Sequence, residues 1–154
     1  MKKEVKREDL IYSELSYTII GCAYSVYNEI GPGHLERVYQ KALAIALRKT
    51  KILFTEQYHV NVVFMGEKLG NGYVDFLIEK IIILELKRDI KSGIAYLKQV
   101  LNYMHSAKIP LAILINFTHS GVITKRIVLE EYYSKEGIHT SDVVEQKPNQ
   151  KRSD

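Results

Sequence analysis

The sequence has a single cysteine, Cys22, among 154 residues. An intrachain disulfide is therefore excluded, and a reducing, cytoplasmic setting is the simpler expectation. There is no apolar run near the roughly 20 residues that a spanning helix needs, so no membrane role is expected. The charged opening, Met1-Lys-Lys-Glu-Val-Lys-Arg-Glu-Asp9, is not followed by an uninterrupted apolar stretch, and a signal peptide is not expected. No internal repeat divides the chain. The histidines His34, His59, His105, His119 and His139 are scattered and show no zinc-like spacing.

What is present suits one globular domain. Hydrophobic residues make up 46% and charged residues 26%. A chain of this size can bury roughly 68–70% of its unfolded surface without staples. The net charge of +4 and the pI of about 9.0 permit a polyanionic partner. Part of that charge lies at the ends, in Lys2, Lys3, Lys6, Arg7, Lys147, Lys151 and Arg152, where solvated tails are the better explanation. The expected organisation is a charged arm over 1–8, one domain over 9–136 and a polar, disordered tail over 137–154.

Periodicity divides the domain. Ile11, Leu15, Ile19, Cys22, Ala23, Val26 and Ile30 recur at helical steps and predict a helix from about Asp9 to Ile30. Gly31-Pro32-Gly33 stops it, because glycine suits the position after a helix and proline cannot continue one. Leu35, Val38, Tyr39, Ala42, Leu43 and Leu47 form the stripe of a second helix over 34–49. Phe54 to Met65 is rich in β-branched and aromatic residues and reads as a strand ending in a turn at Gly66-Glu67-Lys68. Tyr73–Ile78 is a second strand, and Glu79-Lys80 a polar break. Ile81–Leu86 is a third strand, apolar on both faces as a covered central strand should be. Ser92 is a candidate cap for a helix over 93–107. Leu111–Asn116 and Val122–Leu129 complete the set, the latter as an edge strand. The order ααβββαββ predicts an α/β fold of the α+β type: a mixed central sheet of about five strands flanked by helices.

Chemistry gathers at the strand ends. Alternation sets Ile81, Ile83, Glu85 and Lys87 on one face. A charge at a buried strand end must be paired, solvated or metal-bound. A Glu85–Lys87 ion pair and a metal site both meet that requirement. A tight turn near Glu79-Lys80 would set Asp75 opposite Leu84 or Glu85, with side chains about 4.5–5.5 Å apart at Cβ. Two such carboxylates repel, one pKa rises, and a hard cation such as Mg²⁺ or Mn²⁺ resolves the conflict. Lys87 would then contact a phosphate or orient an attacking water. Gly33, Glu36 and Tyr39 recur at three-residue steps. Glu36 is either a third carboxylate at the metal or an exposed first-turn acid favoured by the helix dipole. Gln99 and Tyr103, at i and i+4, share a face of the third helix, as part of a candidate site or as a polar pair at the core rim. Tyr58, Tyr73 and Tyr96 are candidates for stacking on bases.

Taken together, Gly33-x-x-Glu36-x-x-Tyr39, the Asp75-Phe-Leu-Ile strand, Glu85-Leu-Lys87, Gln99-Val-Leu-Asn-Tyr103 and Leu114-Ile-Asn-Phe117 resemble the bacterial and archaeal GxxExxY proteins of the PD-(D/E)xK nuclease superfamily. The likeness spans about Leu10 to Leu129. Val74 stands where many members have a proline before the aspartate. The resemblance implies a restriction-endonuclease-like core and a divalent-metal site with Asp75, Glu85 and Glu36 as acidic ligands and Lys87 as catalytic lysine. It also implies that Gln99 and Tyr103 form the QxxxY motif of the exonuclease branch. The implied activity is Mg²⁺- or Mn²⁺-dependent hydrolysis of DNA phosphodiester bonds, exonuclease-like in character. A non-catalytic nucleic-acid-binding or regulatory module on the same fold is the alternative. The partner is nucleic acid, DNA before RNA, and a homodimer is permitted.

Overall fold

Eight elements follow in the expected order. They are α1 (Ser13–Ile30), α2 (Glu36–Lys49), β1 (Phe54–Phe64), β2 (Glu67–Ile78), β3 (Ile82–Lys87), α3 (Gly93–Ala107), β4 (Leu111–Thr118) and β5 (Gly121–Val128). The structure is a computed structural model that describes residues 12–87 and 93–129. The expected arm, the tail and the Ser92 cap lie outside the described residues.

The apolar stripe of α1 buries Ile19, Cys22, Ala23 and Val26. This helix starts at Ser13 rather than near Asp9, because Tyr12 is left-handed (φ 50°) and cannot belong to the same helix. Gly31 ends it with φ 68°, its N–H donating to the Tyr27 carbonyl at 2.8 Å. α2 starts at Glu36, two residues later than expected, since Leu35 is extended (ψ 148°). Its buried stripe is Tyr39, Leu43, Ala44 and Leu47. Leu35 and Val38, expected on that stripe, are exposed. Leu35 precedes the helix, and Val38 is rotated about 100° from the Tyr39–Leu43–Leu47 line.

The five strands lie side by side in sequence order. β3 and β4 are parallel, and every other neighbour is antiparallel. The first hairpin turns at Met65-Gly66, with Phe64 paired to Glu67 and Lys68 to Val63. The turn is thus one residue earlier than expected. Both turn residues have positive φ (48° and 80°), the geometry that matches the strand twist. β2 reaches back to Glu67 through Gly70-Asn71-Gly72, where propensity predicts a break. Pairing with β1 carries the strand through.

Alternation on β3 and β4 defines the layers. Ile82, Leu84, Leu86, Leu111, Ile113, Ile115 and Phe117 join a core with α1 and α2. Ile83 and Ala112 join a second core with Val100, Tyr103 and Met104 of α3. The sheet is covered on both faces, and β3 at its centre is buried on both, as its composition predicts.

Candidate active site

The β2–β3 ladder runs through Ile78–Ile82, Leu77–Ile83 and Phe76–Leu84 and then stops. Its register sets Asp75 opposite Glu85. Beyond that point side chains replace the ladder. The Asp75 N–H donates to Glu85 Oε1 at 2.8 Å, and the Leu86 N–H donates to Asp75 Oδ2 at 2.8 Å. Each carboxylate thus satisfies a backbone donor of the opposite strand, which locks both side chains in place.

The other carboxylate oxygens have partners as well. The Tyr96 hydroxyl of α3 donates to Glu85 Oε2 at 2.9 Å, and the Gln57 amide of β1 donates to Asp75 Oδ1 at 3.4 Å. Lys87 Nζ lies 3.9 Å from the centroid of the Tyr96 ring, a cation–π contact. Tyr96 therefore serves the acid with its hydroxyl and the lysine with its ring.

Burial dominates the electrostatics. It pushes the Glu85 carboxyl up to about 7; the Asp75 charge adds to the rise, while Tyr96, the Asp75 N–H and Lys87 oppose it. Burial also raises Asp75, against the Leu86 and Gln57 hydrogen bonds and the Lys87 charge. Burial and then the Glu85 charge hold the Tyr96 phenol above its ordinary range, so it remains a donor. Glu36, an exposed residue, is raised by partial desolvation and by Asp75 and lowered by Lys87. The Lys87 charge therefore acts on all three acids.

Glu36 stands in the first turn of α2 and remains exposed. With Lys87, His34, Tyr39, Leu86 and Phe117 it lines a small recess. Tyr39 is core: it is 4% exposed, stacks on Phe117 at 4.2 Å and donates its hydroxyl to the Gly31 carbonyl at 2.7 Å. Gln99 donates to the Tyr103 hydroxyl at 2.9 Å. An open cleft of about 580 Å³ runs from Lys87 and Tyr96 past Gln99 and Tyr103, with Val62, Asn71, Lys98 and Asn102 completing its walls. The structure thus joins Asp75 and Glu85 directly, links Lys87 to Glu85 through Tyr96, brings Gln99 and Tyr103 to the adjoining cleft and leaves Glu36 at the rim.

Among the described residues no three His, Cys, Asp or Glu side chains form a ready-made metal cage. The paired, buried carboxylates of Asp75 and Glu85 nevertheless fit a hard cation. Mg²⁺ is commonly held by one or two carboxylates, with water and phosphate filling the rest of its shell. A cation there would relieve the burial that raises both acids.

Three participants carried less signal. Tyr96 was a candidate base stacker, yet its spacing to Gln99 and Tyr103, at i+3 and i+7, marks the same helix stripe. Asn116 pairs in register with Lys87, is 7% exposed, and its Oδ1 has no hydrogen-bond partner among the described residues. Gln57 had no signal, because its place depends on strand register.

No curated protein matches the chain. Among solved structures, an alkaline exonuclease (LHK-Exo) from Laribacter hongkongensis aligns with 15% identity and a TM-score of 0.46, covering 84% of this chain and 77% of that one. The same enzyme in complex with dAMP aligns equally. SSO0001 aligns with 16% identity and a TM-score of 0.45, covering 79% of this chain and 60% of its own. A family model described as the PD-(D/E)XK nuclease superfamily matches residues 13–127. With that match over most of its length, the chain belongs to the PD-(D/E)XK nuclease superfamily.

Proposed function

We propose that this chain is a divalent-metal-dependent nuclease that hydrolyses phosphodiester bonds of DNA, with exonuclease-like action. The interlocked pair of Asp75 and Glu85, with Lys87 two residues further on, carries this reading. Superfamily members generally use divalent metal ions. Asp75 and Glu85 would hold Mg²⁺ or Mn²⁺, with Glu36 contributing from the rim. When bound, the ion supplies charge stabilisation at the phosphate and a more acidic water. Lys87 is held over Tyr96, where its ammonium meets a phosphate oxygen or orients water. Gln99 and Tyr103 position the strand in the adjoining cleft. Lys98 adds a positive charge to that wall. The GxxExxY signature at Gly33, Glu36 and Tyr39 suggests the bacterial and archaeal branch of the superfamily, with a cytoplasmic site of action.

The test is incubation of purified protein with linear, circular and single-stranded DNA, and with RNA, in Mg²⁺, Mn²⁺ or EDTA. Metal-dependent cleavage of DNA with free ends is expected. Glu85→Ala or Lys87→Ala should lower it by roughly 10²-fold or more, since even residues behind metal ligands cost 10–100-fold. Cleavage that persists unchanged in Glu85→Ala sinks the proposal. The exposed Glu36, outside the Asp75–Glu85 pair, favours one second reading: a nucleic-acid-binding module without turnover. That reading predicts salt-dependent DNA binding with no product in any metal.

A further inference from the structure

Seven non-glycine residues among those described have positive φ. Tyr12, Lys51 and Lys108 stand at helix ends, and Met65, Glu79 and Lys80 at hairpin turns. Gln57, with φ 49°, alone sits inside a strand. A side chain in this conformation crowds its own backbone, so the surroundings must enforce it.

Gln57 stands at a corner in the β1–β2 ribbon. Pairing is unbroken on both sides, Glu56 with Phe76 and Tyr58 with Val74, which leaves Gln57 across from Asp75. The ribbon nonetheless changes cores at this point. Phe54 and Phe76 pack with α1 and α2, their rings 5.7 Å apart. Val60 and Val74 pack with α3. Val74 and Phe76, two apart on one strand, thus lie in opposite cores, which strand alternation forbids without a local twist. The β2–β3 ladder also ends at Phe76. The twist therefore releases Asp75 from the ladder, so that its N–H meets Glu85 and its carboxylate meets Leu86. The Gln57 amide closes the corner on Asp75 Oδ1.

We infer that Gln57 is a positioning residue: its left-handed backbone turns the ribbon at Asp75 and so creates the crossed hydrogen bonds of the site, from the Asp75 N–H to Glu85 and from the Leu86 N–H to Asp75. The inference deepens the nuclease reading by naming what shapes the acid pair. Its main test needs neither metal nor DNA.

The test is amide hydrogen exchange on the metal-free protein at Asp75 and Leu86, whose N–H groups make the crossed bonds. Gln57→Val disfavours positive φ, because its branched side chain meets the backbone. Exchange at Asp75 and Leu86 should accelerate about tenfold or more, while Ile83 and Leu84 keep their protection. Gln57→Gly tolerates the left-handed conformation and should retain protection at Asp75 and Leu86 within about threefold. If Gln57→Val does not fold, the inference stands on the glycine variant. In that case protection lost at Asp75 and Leu86 in Gln57→Gly overturns it, and protection kept supports it. Unchanged exchange in a folded Gln57→Val also overturns it, as does uniform loss across the core. Mn²⁺ titration and DNA cleavage by the parent run alongside. Their failure would reject the nuclease reading and leave the exchange result to decide the role of Gln57.

Discussion

At the scale of single residues, Glu85 pays for its position. An ordinary glutamate has released its proton well below neutrality, whereas burial holds Glu85 protonated up to about 7. The folded state therefore binds more protons than the unfolded state from about pH 4.5 to about pH 7. Stability from this group is present at low pH and is lost as pH rises through that window. Asp75 is shifted in the same direction. The expected outcome is that metal-free Glu85→Gln matches the parent near pH 4 and exceeds it at pH 8 by on the order of 1–3 kcal/mol. Urea denaturation at both pH values measures this, and parallel curves for parent and variant would refute it. The same proton competes with a cation. Mn²⁺ affinity should climb by up to about tenfold per pH unit below 7 and flatten above it, which calorimetry can follow.

At the scale of elements, the β1–β2 hairpin and α3 depend on one close approach. A Cβ at Gly72 would overlap the phenol ring of Tyr103. Tyr103 is 9% exposed and Met104 0%, so the helix cannot move aside without opening the second core. Gly72→Ala should cost about 1–3 kcal/mol, the usual range for overpacking. In a Tyr103→Ala background the same change should cost clearly less, giving a coupling of at least about 1 kcal/mol in a double-mutant cycle. Additive costs would show that the two do not meet. The Gly70-Asn71-Gly72 stretch reads locally as a break. It is a strand because β1 supplies its hydrogen bonds and Tyr103 covers the missing side chain. Propensity is a statement about an isolated segment, and here pairing overrides it.

At the scale of the molecule, a cation at the acid pair would join β2 to β3 only in the folded chain. It should therefore stabilise the fold by mass action. Mn²⁺ at about 100 times its Kd should add about 2.7 kcal/mol. For a domain of this size that raises Tm by roughly 5–10 °C. Asp75→Asn should abolish the rise. A scanning calorimeter reads it directly, and an equal shift in parent and variant would place the ion elsewhere.

Much of this design is local and so was legible along the chain. The order of elements, the double burial of β3 and the shared face of Glu85 and Lys87 follow from side-chain period and apolar spacing, which neighbouring residues dictate. The meeting of Asp75 with Glu85 was half-legible, because a short turn at Glu79-Lys80 bounds the register to one residue either way. The tertiary structure alone decided the rest: the crossed bonds beyond Phe76, the Tyr96 hydroxyl on Glu85, the exposure of Glu36, and Gln57 across from Asp75. Each of these joins segments far apart in sequence. Their separation is set by twist, register shifts such as that at Val62/Val63, and packing against three helices, and those arise from the balance of the whole core.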